Sequence, residues 1–173
     1  MKTLIHCLII PVLLAWLMAG SSVAAEKSYE QPSAFLTRHF GSMPKTQVLA
    51  LSETQQKQLA AILGHRYGQQ QIRYWAKDGK TAWILNEIGK TEPITAGFIA
   101  QGGKLADVKV LIYRESHGWE VSRPFFTKQF VGASLNGHRL SKPVDGVVGA
   151  TLSVRAITRL SAAALYLSQQ SGQ

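Results

Sequence analysis

Cysteine is all but missing from this 173-residue chain: Cys7 is the single example, and it falls inside an apolar N-terminal run. The rest of the sequence therefore has no disulfide, no thiolate metal site and no thiol nucleophile. Acid is scarce too, with 10 Asp and Glu against 19 Lys and Arg, a formal net charge of +9. The five histidines are isolated from one another and show no metal-ligand spacing, so no metal site is predicted. No Gly-x-Gly-x-x-Gly fingerprint occurs, which argues against a Rossmann-type site and a dehydrogenase-like enzyme. Internal repeats and low-complexity tracts are absent.

What is present begins at the N-terminus. Lys2 precedes an apolar run from Leu4 to Ala19, followed by Gly20-Ser21-Ser22-Val23-Ala24-Ala25. Residues 1–25 read as a signal peptide cleaved after Ala25, with Val23 and Ala25 as the small residues a signal peptidase requires. The competing reading is an uncleaved membrane anchor, but the run is shorter than the roughly 20 residues of a span and His6 interrupts it. Cys7 lies near the start of the run, where a lipoprotein cysteine would not be. Export of this kind places the protein in the periplasm.

Loss of residues 1–25 removes Lys2 and no acid, leaving 18 basic and 10 acidic residues, a charge of +8 over 148 residues. That length suits one domain with its own core. The charge favours an acidic partner, an anionic membrane face or a phosphate-bearing ligand. The basic residues form no continuous block, and export argues against nucleic acid. A phosphate-bearing ligand or an acidic protein fits best, with peripheral membrane association left open.

Periodicity predicts an α+β fold: a small antiparallel sheet with helices near both ends, as a single domain after the signal peptide. Residues 26–33 read as a polar lead-in and Ala34 to Phe40 as a short helix. Ser52 and Gln55 form a capping box for a helix carrying Leu59, Ile62 and Leu63 and stopping at Gly64. Asp78-Gly79 and Gly102-Gly103 mark two hairpins. In the strand Val108–Tyr113, strict alternation puts Val108, Val110 and Ile112 on one face and Lys109, Leu111 and Tyr113 on the other. Leu135 to Val144 reads as a loop, and Leu152 to Leu167 as an amphipathic helix. These divide the chain into residues 1–25, an N-terminal helical segment 26–70, and a domain 71–173.

The segment Asp145-Gly146-Val147-Val148-Gly149-Ala150-Thr151 carries the chemistry. It ends in a hydroxyl at the start of a helix, where free N–H groups and a positive dipole end favour phosphate. Gly149 and Ala150 place little bulk beside Thr151, and Ser153 offers a further donor. Read by itself, the string favours Thr151 as a plain N-cap.

The segment resembles the acceptor motif of the exported FMN-binding domain family, which includes a flavin-carrying component of the sodium-pumping NADH:quinone reductase. Its pattern is Asp-x-x-(Ser/Thr)-Gly-Ala-Thr before a helix. Asp145, Gly149, Ala150 and Thr151 match, and Val148 stands where Ser or Thr is usual. Glu87–Thr95, Tyr113–Val121 and Phe126–Gly132 are similar to further blocks of the family, so the resemblance spans roughly residues 74–168. It implies FMN as cofactor, esterified to Thr151 by a separate flavin transferase that uses FAD. It places Glu115 and Gly118 in a loop facing the flavin, with Ser153 nearby; His117 replaces a proline common in that loop. Arg114 and Arg123 are candidates to favour an anionic flavin or its phosphate. Trp75, Trp83 and Trp119 are candidate stacking partners, each more simply read as core.

The function implied is a periplasmic electron-transfer protein serving envelope redox partners, not an enzyme with its own substrate. The alternatives are a module that holds FMN reversibly or no longer holds it, motivated by Val148, and a flavin reductase, against which the short chain argues.

Overall fold

The computed structural model describes residues 26–172; the expected signal segment lies outside the described residues. In chain order the elements are β1 (Lys27–Ser28), α1 (Pro32–Phe40), β2 (Thr46–Ala50), α2 (Glu53–Leu63), β3 (Gln71–Lys77), β4 (Lys80–Ile88), β5 (Pro93–Gln101), β6 (Lys104–Tyr113), α3 (Pro124–Thr127), β7 (Leu135–Asn136), β8 (Arg139–Leu140) and α4 (Thr151–Gln170). Short 3₁₀ turns flank α3.

The sheet is an antiparallel meander, β3 to β6, extended at both edges. Its order is β1-β6-β5-β4-β3-β2. Both expected hairpin turns form. Asp78 and Gly79 have φ of 53° and 70°, and Gly102 and Gly103 have 56° and 72°, the paired positive values that a two-residue turn of matching twist demands. The capping box of α2 also forms, with Ser52 and Gln55 exchanging both bonds, and Gly64 closes the helix.

The sheet is buried on both faces. On one face α2 and α4 pack over Trp83, Phe98, Val108 and Val110. On the other, α1 lays Phe35, Leu36 and Phe40 against Ala82, Ile99 and Leu111. Gly97 makes that second contact possible, because a Cβ there would lie 2.8 Å from the Phe35 ring. Burial on two sides explains why β5 reads as an almost continuous apolar run. The segment 26–70 thus supplies helices and both sheet edges: β1 pairs with β6, and β2 with β3. The lead-in includes β1, α1 starts with Pro32, and residues 135–140 form a small hairpin within the expected loop.

Strict alternation in β6 does not hold. Ala96 pairs with Val110 but Thr95 with Ile112, so Leu111 is one extra residue in the ladder. This bulge shifts the phase of everything after it. Leu111 and Ile112 both go to the α1 side, and Tyr113 joins Val108 and Val110 on the α4 side. The same shift fixes the directions of Arg114 and Glu115.

Candidate functional site

Three segments meet beside the N-terminus of α4: the β4–β5 turn 89–92, the loop 114–118 that leaves β6, and the loop 145–150. They enclose a cleft of about 750 Å³, within the roughly 300–1,000 Å³ of small-molecule sites. Lys90, Thr91, Glu115, His117, Glu120 and residues 148–153 contribute to its wall.

Glu115 organises the first two segments. Its Oε1 accepts N–H bonds from Lys90, from Thr91 at 2.7 Å and from Glu92 at 3.0 Å, while Oε2 accepts the Thr91 hydroxyl at 3.1 Å. Burial opposes ionisation of this carboxyl. The N–H groups of Glu92, Thr91 and Lys90 outweigh it and hold Glu115 below the usual carboxylate range. Gly89 is needed beneath, since a Cβ there would come within 2.8 Å of Oε1.

Tyr113 ties the loop to the helix. Its hydroxyl donates to the His117 carbonyl at 2.5 Å and meets Ser153 Oγ at 2.9 Å. A carbonyl only accepts, so the phenol proton is committed to His117 and Ser153 donates to Tyr113. Burial raises the phenol pKa above its ordinary value, with the Ser153 bond acting in the opposite direction, which keeps it a donor. The sequence reading of Ser153 as a donor to the ligand is corrected by this chain of bonds: Ser153 has lone pairs to offer, its proton being engaged.

Gly118 has φ +83°, and a Cβ there would meet Ala150 Cβ at 2.8 Å and the Tyr113 hydroxyl at 2.9 Å. Ala150 is small because the loop lies directly on it, not only to clear space beside Thr151. Gly149 differs: nothing lies within 4 Å of its Cβ position, and its demand is the backbone angle, φ +79°.

Thr151 is the first residue of α4 and is exposed; Ala150 occupies the N-cap and supplies no side-chain bond. The N-cap reading of Thr151 is therefore overturned. The first intrahelical bond is Val154 N–H to the Ala150 carbonyl at 2.9 Å, so the N–H groups of Thr151, Leu152 and Ser153 point forward with no intrahelical partner. An exposed hydroxyl beside unpaired N–H donors and a positive helix end fits a phosphate.

The cleft thus gathers Thr151, Ala150, Gly149, Ser153, Glu115 and Gly118. Asp145 and Arg114 are not in its wall. Asp145 donates its N–H to Gln129 Oε1 at 2.7 Å, and Arg114 is turned to the opposite side of the strand, bonded to Glu26, the Pro93 carbonyl and Thr95 Oγ1 at 2.8–3.0 Å. Alternation past the bulge makes Arg114 and Glu115 face opposite ways, so Arg114 does not approach the cleft anion site as the sequence suggested. Arg123 lies over Trp119, 5.8 Å from the ring centroid. Trp83 is fully buried and stacked on Tyr74, 4.9 Å between centroids, and Trp75 packs with the α1-side core. His117 is the one aromatic ring in the described cleft wall.

Periodicity missed Lys90, Thr91, Tyr113 and Leu152 as neighbours of the site. Gly89 to Glu92 before Pro93 reads as a turn, but nothing local shows that its N–H groups converge on Glu115. Among the described residues, no three His, Cys, Asp or Glu side chains converge as a metal site, and no helix is long and apolar enough to cross a membrane. Residues 89–166 match the family model described as FMN-binding domain. No match is found among curated proteins or among solved structures.

Proposed function

This chain belongs, over residues 89–166, to the FMN-binding domain family, and from that premise we propose that it is an exported electron carrier with FMN esterified to Thr151. FMN is the cofactor, and it supplies one- and two-electron redox chemistry when bound. The observation that carries the covalent reading is the pairing, in one cleft, of an exposed Thr151 hydroxyl with three unpaired N–H groups.

The residues divide the work. The N–H groups of Thr151, Leu152 and Ser153 receive phosphate oxygens, a placement worth about 0.3–1 kcal/mol per charge at an exposed helix end. Gly149 leaves the hydroxyl open to a modifying enzyme. Glu115 and Tyr113 fix the two loops that wall the cleft, and would so define the space open to a bound flavin. In the transfer itself, Thr151 Oγ1 forms a bond to the FMN phosphorus of FAD, the pyrophosphate bond breaks and AMP leaves. The hydroxyl proton passes to a base of the transferase. Outside the cytoplasm free FMN is scarce, and an ester removes loss by dilution.

The test is intact-mass spectrometry of protein secreted from a host with an active, exported flavin transferase. The expected mass carries one FMN less water, and Thr151→Ala abolishes the addition. Flavin surviving denaturation in Thr151→Ala sinks the acceptor assignment. A second reading, reversible or vestigial FMN binding, is favoured by Val148, which is fully exposed at 102 % where Ser or Thr is usual in the family. Under the covalent reading Val148→Thr leaves flavin occupancy high or raises it. A colourless protein with either residue favours the vestigial reading.

A further inference from the structure

A second cleft, about 600 Å³, lies between α2, the β7–β8 hairpin and α4. Four permanent cations line it, Arg139, Lys142, Arg155 and Arg159, and no carboxylate does. Lys142 donates to the Val131 carbonyl at 2.6 Å. Among the described residues the guanidinium groups of Arg139, Arg155 and Arg159 make no salt bridge. The floor between them is apolar, formed by Ile62, Leu140, Val144 and Ala162. In a protein with so few acids, cations gathered round an apolar floor without a counter-charge leave unsatisfied electrostatic potential over a recess.

The position of this recess matters as much as its charge. Thr151, Arg155 and Arg159 follow at i, i+4 and i+8 on α4, one face of the helix. At about 1.5 Å rise per residue, Arg155 stands roughly 6 Å and Arg159 roughly 12 Å along the axis from Thr151. The loop 145–150 separates the two clefts, and both use the same helix.

We propose that this recess is the docking site for an acidic protein partner, seated next to the flavin so that electrons pass between them. The proposal rests on the reading of Thr151 as the flavin's attachment. Shape selects a protein over a membrane: the cations rim a concavity with an apolar floor, which accepts protruding acidic and apolar side chains, whereas a lipid surface needs a projecting basic face. Shape and composition also disfavour single-stranded nucleic acid, because among the residues lining the recess only His138 carries an aromatic ring on which a base could stack, and that ring is bonded to Gln58 Oε1 at 2.8 Å. Rim charges of this kind steer the encounter and weaken with salt.

The experiment titrates a fluorescent acidic peptide of alternating Glu and Leu against the flavin-loaded protein, the Arg139→Gln/Arg155→Gln/Arg159→Gln variant and a control of equal charge, Lys77→Gln/Lys80→Gln/Lys104→Gln. Three lost charge pairs predict about tenfold weaker binding for the recess variant and little change for the control. Binding to the wild type falls steeply between about 0.05 and 0.5 M salt. Equal loss in both variants overturns the proposal, since net charge alone then explains binding. It is also overturned if the peptide fails to bind while vesicles of phosphatidylglycerol and phosphatidylcholine, or pyrophosphate, bind in a manner that the recess variant abolishes. The titration is repeated on Thr151→Ala protein. Peptide binding retained without flavin keeps the recess separate from the flavin assignment, so that either can fail alone.

Discussion

At the scale of single residues, Glu115 and Gly118 have roles that their types alone do not reveal. Glu115 is ionised in the fold, and the N–H groups of the 89–92 turn depend on that charge. Its pKa is lowered on folding. The stability it contributes is therefore complete above the ordinary carboxylate pKa and is lost as pH falls through the lowered one. Glu115→Gln is expected to cost about 1.5–3 kcal/mol at neutral pH. The difference from wild type, measured by urea unfolding, shrinks as pH drops below about 4; a pH-independent difference would contradict the latch. Gly118→Ala meets Ala150 and Tyr113 as well as a positive φ, whereas Gly149→Ala meets only the unfavourable angle. The first is expected to cost about 1–3 kcal/mol more than the second, the overpacking range, in paired thermal melts. Similar losses would show that the 114–118 loop yields.

At the scale of elements, the bulge in β6 and the start of α4 decide the site. Tyr113 reaches Ser153 because Leu111 is extra in the ladder. Tyr113→Phe removes the donor to His117 and leaves Ser153 without its acceptor, with an expected loss of about 1–2 kcal/mol. Amide exchange at His117 and Gly118 should speed up in this variant, and unchanged exchange would mean the loop is held by packing alone. These are also the features the sequence showed least. Hairpins at Asp78-Gly79 and Gly102-Gly103, the Ser52–Gln55 box and the long final helix are written in local residues, and all appear. A bulge has no local signature in Val110–Tyr113, because each residue there suits either face of a strand buried on both sides. Glu115 and its N–H partners are more than 20 positions apart, and no periodicity encodes such a meeting. The part that residues 149–151 play in the cleft wall was legible because helix start, small residues and hydroxyl are contiguous. Its cap was misjudged by one position, since Ala150 ends the loop with a backbone geometry that needs no hydroxyl.

At the scale of the whole molecule, the family match starts at residue 89, yet the sheet is completed from residues 27–28 and 46–50, and its second face is covered by α1. The N-terminal segment is thus built into the same sheet and core. Phe35 is fully buried on Gly97, so Phe35→Ala is expected to cost about 3–5 kcal/mol. Because β5 links that face to the cleft side, the same variant should unfold in one transition with no separate loss of the α1 layer. Two transitions in denaturant would make the N-terminal segment an independent layer. Charge belongs to this scale as well: the net +9 of the sequence is spread along the chain, but the recess on the α4 side gathers four cations with no carboxylate among them.

The extra residue in β6 acts as a parity setting for the tail of the strand. Were the same residues to pair in strict alternation, with no bulge at Leu111, Arg114 and Glu115 would exchange sides. The cleft would then meet a cation where it now has a latch, and the turn 89–92 would lose its anchor. Two domains of this type with identical residues around the site can therefore present opposite charges to the cleft, according to whether the ladder of a strand ten residues long carries its bulge.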